Sequence, residues 1–193
     1  MASRKPARSK SRSRSKSSAK SSGGRRKDAI ALLKSDHQEV QKLFDQFESK
    51  HDKMSSEAKQ ALAEKICMEL NIHTTIEEEI FYPAVGEHIE KAEDLLHEAK
   101  VEHDSAKTLI KEIEGGDPDD ELWDAKVTVL GEYVKHHVKE EQNEMFPMVR
   151  KAKDIDLKEL GERMMARKQE LMSEGSSGRR GRMMEAVAGM RMA

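Results

Sequence analysis

Cysteine is almost absent from this 193-residue sequence, in which Cys67 is the single example. One thiol cannot form a disulfide within the chain or build a cysteine metal site, so both are excluded. No run of about 18 apolar residues occurs, which predicts that no helix spans a membrane. The N-terminus also lacks an apolar segment, so we expect no secretory signal and a cytoplasmic protein.

Aromatic residues are also scarce, at 4%, whereas charged residues reach 37%, a composition typical of exposed helices around a narrow core. The charge is uneven. Residues 1–27 contain eleven Lys or Arg and no acid, which leaves 24 basic against 37 acidic residues in 28–193. The basic segment has too few apolar residues to offset its ordering entropy, so we predict disorder there. It is an arm for nucleic acid or another polyanion, a solubilising tail, or a tail that folds back loosely on the acidic part of the chain.

An internal repeat organises the acidic part of the chain. DHQEVQKLFDQFE and EHDSAKTLIKEIE place His37 and His103 at the same position. HTTIEEEIFYP and HVKEEQNEMFP then begin at His73 and His137, and each has a Glu four residues on and a Pro at its end. The repeat predicts two helix hairpins related by a pseudo-twofold axis.

Hydrophobic periodicity of three and four residues predicts an all-α protein, an antiparallel up-and-down four-helix bundle. The helices are expected over about 28–50, 56–82 and 87–114, with the fourth starting near Pro118. Pro83 and Pro147 follow the last turns of the second and fourth helices, where prolines end or kink a helix. We therefore predict a bundle at 28–150, an extra C-terminal helix within 151–174 (about 156–173) and a flexible tail at 175–193.

Six polar residues occupy positions where the apolar helix stripes require Leu or Ile. A buried carboxylate without a partner is unfavourable, and residues four apart share one helix face. Such side chains converge on the bundle axis, which predicts ligands for two metal ions, with a hydrogen-bonded polar core as the alternative. Mixed imidazole and carboxylate ligands favour iron or manganese over calcium or magnesium. The predicted ligands are His37, His73, Glu77, His103, His137 and Glu141.

The remaining polar candidates are predicted to lie outside this site. His51 and His88 fall near loops, and His97 lies off the stripe of its helix. His136 with Glu140 forms a competing register, but we prefer His137 because its spacing to the following Pro repeats that of His73. Glu78, Glu79 and Glu140 are predicted to form a solvated acidic face, and Cys67 to be a buried structural thiol.

With these motifs, residues 28–150 resemble the hemerythrin-like HHE cation-binding domain family. The resemblance implies a non-haem di-iron centre in which the four His are terminal ligands and Glu77 and Glu141 are bridges. Manganese is the alternative metal. The oxygen-carrying hemerythrins have a further His where this chain has Lys107, and an Asp where it has Gln142. One imidazole is therefore missing, which implies either that water fills that coordination position or that metal binding is weaker on that side.

The resemblance favours a protein that binds or responds to small ligands such as dioxygen, nitric oxide or peroxide, in sensing, stress response or iron handling. Two other functions are kept as hypotheses. One is a di-iron peroxidase or oxidase-like enzyme. The other is a nucleic-acid-associated protein that uses residues 1–27. The sequence contains no nucleophile triad and no Gly-rich phosphate loop, which argues against hydrolysis and nucleotide chemistry.

Overall fold

The computed structural model describes the backbone of residues 27–190 and the side chains of residues 27–175. Regular structure within these limits is helical throughout. The α-helices are α1 (Ala29–Lys50), α2 (Ser56–Ile76), α3 (Tyr82–His88), α4 (Glu93–Glu114), α5 (Trp123–Glu140), α6 (Phe146–Lys151) and α7 (Leu157–Met190). Shorter elements are 3₁₀ turns at His51–Lys53 and Glu90–Ala92 and π-helical turns at Glu77–Phe81 and Glu141–Met145. The predicted disorder of the basic tail concerns residues that, except for Lys27, lie outside the described part.

Helices α1, α2, α4 and α5 form the predicted antiparallel bundle, in which α1 and α4 each lie beside α2 and α5. The direction of each helix follows from two apolar clusters. The first contains Leu33, Phe81, Ala99 and Val149, and the second contains Phe44, Ile66, Ile110 and Val127. Chain order therefore takes α1 and α4 from the first cluster to the second, and α2 and α5 back again. In each of these four helices one histidine lies between residues of the two clusters, namely His37, His73, His103 and His137.

Two π-helical turns allow the second and fourth bundle helices to continue past their prolines. The Glu77 carbonyl accepts from the Tyr82 N–H, and the Glu141 carbonyl accepts from the Phe146 N–H, five residues on in both cases. A proline has no N–H and its ring clashes with the carbonyl four residues earlier, and the wider turn relieves both problems. The prediction that Pro83 ends its helix is therefore wrong, because α3 continues to His88.

The same turns change which side chains face the core. Tyr82 and Phe146 are buried, whereas Ile80 and Met148, which the uninterrupted periodicity places in the stripes, are only half-buried. A π-helical turn inserts one extra residue. The apolar stripe that follows each predicted ligand, Glu77 or Glu141, is therefore rotated around the helix axis. The residue before each proline therefore points towards the polar centre of the bundle.

The fourth bundle helix begins at Trp123 and not near Pro118. Asp117 accepts a hydrogen bond from the Asp119 N–H at 3.0 Å, so it stabilises a turn and does not cap the helix. The buried Trp123 indole then donates to the Ile113 carbonyl at 3.1 Å, which attaches the helix start to α4. Helix α4 also starts later than the predicted residue 87, after its preceding 3₁₀ turn.

The predicted extra helix, α7, packs on the outside of the bundle against α1 and α2. Leu160 and Met164 enter the first apolar cluster. A Cβ on Gly161 would lie 2.7 Å from the Ala29 backbone nitrogen, so only glycine permits this crossing. The helix continues to Met190, beyond its predicted end at 173 and into the segment predicted to be flexible. No helix within residues 27–190 is long and apolar enough to cross a membrane.

Candidate metal centre

The structure brings all six predicted ligands together in the polar layer between the two apolar clusters. Each bundle helix supplies one imidazole, and the π-helical turns supply the two carboxylates. Both carboxylates are fully enclosed, with exposed fractions of 0% for Glu77 and 1% for Glu141. The imidazoles are also buried and belong to His37 on α1, His73 on α2, His103 on α4 and His137 on α5.

The imidazoles form two pairs that face each other through their Nε2 atoms. His37 Nε2 lies 3.1 Å from His73 Nε2, and His103 Nε2 lies 3.2 Å from His137 Nε2. The pairs correspond to the two halves of the sequence repeat. Nitrogen atoms at these separations can share one metal ion, because ligands bound at about 2.1 Å lie about 3.0 Å apart at right angles.

Each carboxylate contacts one imidazole of each pair. Glu77 Oε2 lies 3.2 Å from His73 Nε2 and 3.5 Å from His103 Nε2. Glu141 Oε2 lies 3.2 Å from His37 Nε2 and 3.7 Å from His137 Nε2. The two carboxylates therefore lie between the imidazole pairs, where they can bridge two ions.

The hydrogen bonding of these carboxylates tests whether metal ions fit. Both oxygens of Glu77 and Oε2 of Glu141 are buried, and no described residue donates a hydrogen bond to them. Such atoms are rarely left without partners in folded proteins, and metal coordination supplies the missing contacts. Two overlapping groups have ligand atoms within 4.8 Å of one another: His37, His73, Glu77 and Glu141, and Glu77, His103 and His137. The donor set fits two ions.

The two carboxyl groups differ in acidity. Burial raises the pKa of Glu77 well above its usual value, and the neighbouring Glu141 charge raises it further. Burial acts in the same direction on Glu141, but the imidazoles of His37 and His137 outweigh it and lower its pKa to about 2. In the metal-free protein Glu77 therefore retains its proton to a higher pH than Glu141 does.

The imidazoles are also differentiated by their surroundings. Burial lowers the pKa of His73 to about 4, and burial together with the neighbouring His137 lowers the pKa of His103 to about 4. Both rings are therefore neutral at pH 7, as metal ligation requires. Burial opposes the charged form of His137 as well, but Glu102 and Glu141 outweigh it and raise the pKa of His137.

Every imidazole has a polar side chain on its Nδ1 side. An acceptor at Nδ1 holds the ring proton there, so the Nε2 lone pair is free to face the centre. Glu102 is such an acceptor for His137 (2.7 Å), and Glu78 is one for His103 (2.9 Å). Asp36 lies 3.9 Å from His73 Nδ1, beyond hydrogen-bond distance. At His37 the partner is the amide nitrogen of Gln142 (3.2 Å), which donates to Nδ1.

These outer partners follow the sequence repeat, which is the signal that could have revealed them. Asp36 and Glu102 each precede a ligand His and lie on the Nδ1 side of the His of the next helix. Glu78 and Gln142 each follow a ligand Glu and contact Nδ1 of the His of the opposite hairpin. The pseudo-twofold axis therefore relates the outer partners as well as the six central residues.

Lys107 supports His103 through Glu78. The Lys107 ammonium lies 2.5 Å and 2.6 Å from the two Glu78 oxygens, and Glu78 contacts Nδ1 of His103. Burial raises the pKa of Glu78, but Lys107 and His103 outweigh it and lower the pKa overall. The prediction of a solvated role for Glu78 is therefore wrong. Lys107 itself is directed to the outer side of the imidazole.

Glu78→Ala should weaken metal binding by about 10–100-fold, because loss of an outer partner leaves the ligand ring poorly oriented. Glu79→Ala is the matched control, since Glu79 is exposed and pairs with Arg167 on α7. Competition with a metal chelator would measure both affinities. Equal affinities for the two variants would show that Glu78 does not orient His103.

Helix α7 contacts one of these Nδ1-side residues, Asp36, through Lys168. Its ammonium lies 2.9 Å from Asp36 Oδ1, while Asp36 Oδ2 lies 3.9 Å from His73 Nδ1. Burial raises the pKa of Asp36, but His73 and Lys168 outweigh it and lower the pKa. Asp36 is therefore a buried, charged link between α7 and the centre, which helix phase alone did not indicate.

Tyr82 is a central residue that the sequence periodicity missed. Its hydroxyl donates to Glu141 Oε1 at 3.1 Å and lies 3.4 Å from Nε2 of both His103 and His137. The corresponding residue of the other half is Phe146, whose ring stacks on His37 at 5.9 Å with an interplanar angle of 4°. The two halves therefore differ by one phenolic oxygen.

The competing register of the fourth helix is resolved by burial. His137 is 7% exposed, whereas the side chain of His136 is 60% exposed. His136 contacts Glu140 at 3.1 Å and Glu102 at 3.7 Å on the surface, where the three could form a separate cation site. His137 with Glu141 is therefore the pair that belongs to the centre, as preferred from the sequence.

The sequence interpretations of His51, His88, His97 and Cys67 agree with the structure. His88 and His97 are exposed, and His51 is half-buried beside a loop, where its Nδ1 lies 3.1 Å from the Phe47 carbonyl. Cys67 is buried, and burial raises the pKa of its thiol to about 12. A neutral, enclosed thiol is consistent with a structural residue.

A cavity of about 30 Å³ adjoins the four imidazoles. Apolar side chains from all four bundle helices complete its wall, namely Val40, Leu70, Ala106 and Val134. About 10–15 Å³ of such space is enough to hold one water molecule. The cavity can therefore admit a diatomic or similarly small molecule next to the imidazoles.

Comparisons with known proteins agree with this architecture. The family model of the Hemerythrin HHE cation binding domain matches residues 28–149. A solved structure of a hemerythrin HHE cation binding domain-containing protein from Mycobacterium kansasii shares the fold, with a TM-score of 0.66 and 24% identity over 80% of this chain and 93% of that one. No curated protein matches the chain. Since the family match covers more than half of its length, the chain belongs to the hemerythrin HHE cation-binding domain family.

Proposed function

We propose that this metal-binding, hemerythrin-like protein holds two non-haem iron ions and that these two ions bind or respond to a small ligand. The observation that carries the proposal is the pair of buried carboxylates, Glu77 and Glu141, between two facing imidazole pairs. Three of their oxygens have no hydrogen-bond donor among the described residues. Imidazole with carboxylate favours iron, with manganese as the alternative.

Each residue has a defined task in this proposal. His37 and His73 would hold one ion, His103 and His137 the other, and the two carboxylates would bridge them. Glu102 and Glu78 keep the Nε2 lone pairs of His137 and His103 directed inward. The apolar clusters exclude water from both ends of the layer. Iron supplies the capacity to bind small ligands and to exchange single electrons.

The size of the cavity supports dioxygen, nitric oxide or peroxide as the ligand. Its volume of about 30 Å³ is sufficient for a molecule of this size. The apolar part of its wall suits uncharged diatomic molecules. We place the protein in sensing, stress response or iron handling, because Lys107 replaces the further imidazole of the oxygen carriers and is engaged with Glu78.

Metal analysis of the isolated full-length protein, with absorption spectra before and after exposure to air and peroxide, tests the proposal. We expect close to two irons per chain and spectral changes on exposure. Well below one ion per chain, together with no anaerobic uptake of ferrous iron, would refute it. Rapid, saturable turnover of peroxide would instead support the peroxidase or oxidase-like hypothesis, whereas stoichiometric oxidation supports ligand binding.

Metal affinity should fall as the pH decreases, and the fall should begin above the ordinary histidine value of about 6.5. Glu77 and His137 have raised pKa values, so each retains its proton to higher pH than usual and must release it before binding. His73 and His103, with pKa values of about 4, compete with protons only in stronger acid. Affinity should change about tenfold per pH unit for each proton released. Chelator competition at several pH values measures the slope, and a flat profile would contradict this assignment.

A further inference from the structure

We propose that Glu102, His136 and Glu140 form a separate cation site at the surface of the bundle, from which ferrous iron enters the buried centre. The site holds one divalent transition-metal ion. Its role as an entry point rests on the proposed function, whereas its capacity to bind a cation does not. His136 and Glu140 lie one turn apart on α5, and Glu102 lies on α4.

The spacing of the three side chains suits a single ion. His136 Nε2 lies 3.1 Å from Glu140 Oε1 and 3.7 Å from Glu102 Oε1. Two atoms that are bound to one ion at about 2.1 Å lie about 3.0–4.2 Å apart, depending on the bond angle. One imidazole and two carboxylates suit ferrous iron or manganese. Three protein ligands leave coordination positions for water, so an ion held here can exchange.

Glu102 connects this surface group to the buried centre. Its Oε2 accepts a hydrogen bond from Nδ1 of His137 at 2.7 Å, while its Oε1 faces His136. Nε2 of the same His137 ring lies 3.7 Å from Glu141 Oε2. One carboxylate and one imidazole therefore separate the surface ligand His136 from the fully buried Glu141.

A small cavity also adjoins both groups. Its volume is about 10 Å³, and its wall includes Glu102 and Glu140 from the surface group and His137 and Glu141 from the centre. About 10–15 Å³ of such space is enough to hold one water molecule, so the cavity has room for a single ion. Oε2 of Glu141 is buried, and no described residue donates a hydrogen bond to it. An unpaired carboxylate oxygen therefore attracts a cation towards the inner end of this path.

The sequence repeat does not by itself require polar residues at these surface positions. In the other half, the positions of His136 and Glu140 are occupied by Ile72 and Ile76, which are both buried. Helix α7 packs on α1 and α2 in that half. The side chain of His136, in contrast, is 60% exposed. The metal-binding side chains therefore occur where an ion can reach them from solvent.

Glu140→Gln tests whether the surface site binds a cation. The background is Glu77→Leu, because Glu77 belongs to both buried ligand groups. Full-length Glu77→Leu is titrated with Mn²⁺, and electron paramagnetic resonance measures the free ion. We expect one bound Mn²⁺ per chain whose affinity Glu140→Gln lowers at least about tenfold, since even outer partners of a metal contribute about 10–100-fold. Glu144→Gln removes the same charge from an exposed residue one turn further on and should leave the affinity unchanged. Equal affinities in the three proteins would overturn the proposal.

The rate of iron loading tests whether this site is the entry point. Ferrous iron is added anaerobically to the full-length wild type, His136→Ala, Glu140→Gln and Glu144→Gln, and bound iron is measured at successive times. Clustered charge of one sign raises the rate of ion association by about 10–10³-fold. His136→Ala and Glu140→Gln should therefore load at least about tenfold more slowly and still reach two irons per chain, whereas Glu144→Gln should match the wild type.

The outcomes separate this proposal from the di-iron proposal. Equal loading rates in all four proteins would overturn the entry site and leave the di-iron centre intact. A wild type that takes up no iron would overturn the di-iron centre and the entry role together. The Mn²⁺ titration of Glu77→Leu would in that case still show whether Glu102, His136 and Glu140 bind a cation.

Discussion

His137→Ala should reduce the iron content from two ions per chain to one or fewer, whereas His136→Ala should leave it unchanged. The two residues are adjacent in sequence, but only His137 lies in the polar layer, with Nε2 beside His103 and Glu141. Loss of a direct ligand should weaken binding of that ion by more than about 100-fold, because even outer partners contribute about 10–100-fold.

Iron quantification after anaerobic loading measures the difference between these neighbours. Far-UV circular dichroism of the metal-free variants should show unchanged helix content, which separates loss of a ligand from loss of the fold. If His136→Ala loses iron and His137→Ala keeps it, the surface group of Glu102, His136 and Glu140 is the real metal site. The buried centre would then be a hydrogen-bonded polar core.

The bundle and the six central residues could be predicted because helix phase determines both. Ligand and apolar residues share the same three-and-four spacing, so one periodicity places His37 beside Val40 and His73 beside Leu70. A His and a Glu in a buried stripe are conspicuous because burying them without a partner is unfavourable. The repeat then resolved the choice between His136 and His137.

Residues that regular periodicity does not place in the core were missed. Tyr82 enters the centre only because a π-helical turn adds a residue after Glu77. Propagating a 3.6-residue period through that turn placed Ile80 in the core instead. Asp36, Glu78 and Glu102 lie at the edges of the stripes and resemble ordinary surface acids. Their role depends on which neighbouring helix they face, which spacing within one helix does not specify.

Glu77→Leu should stabilise the metal-free protein and abolish binding of the two iron ions. Both Glu77 oxygens are buried without a hydrogen-bond donor, and the side chain is 0% exposed. Replacing a buried polar group of this kind with an apolar side chain should raise the free energy of unfolding by about 1–3 kcal/mol. The same change removes the carboxylate that contacts both imidazole pairs.

The pH dependence of this gain has a definite sign. Burial raises the pKa of Glu77 in the folded state, so the stability that its protonated form provides is present below the unfolded value of about 4.5 and is lost as the pH rises. Leucine does not titrate. The stability advantage of Glu77→Leu over the wild type should therefore grow as the pH rises above about 4.5. Chemical denaturation of both metal-free proteins at several pH values measures it.

Bound iron should make the wild type more stable than Glu77→Leu, the reverse of the order expected without metal. A ligand at about 1,000 times its dissociation constant adds about 4 kcal/mol to the folded state, which only the wild type would gain in full. Glu144→Leu is the control, because Glu144 is exposed and lies in the equivalent turn of the other half; its effect should stay within about 0.5 kcal/mol. A metal-free Glu77→Leu protein less stable than the wild type at neutral pH would mean that Glu77 has a stabilising partner within the protein. The two unpaired oxygens would then no longer argue for metal.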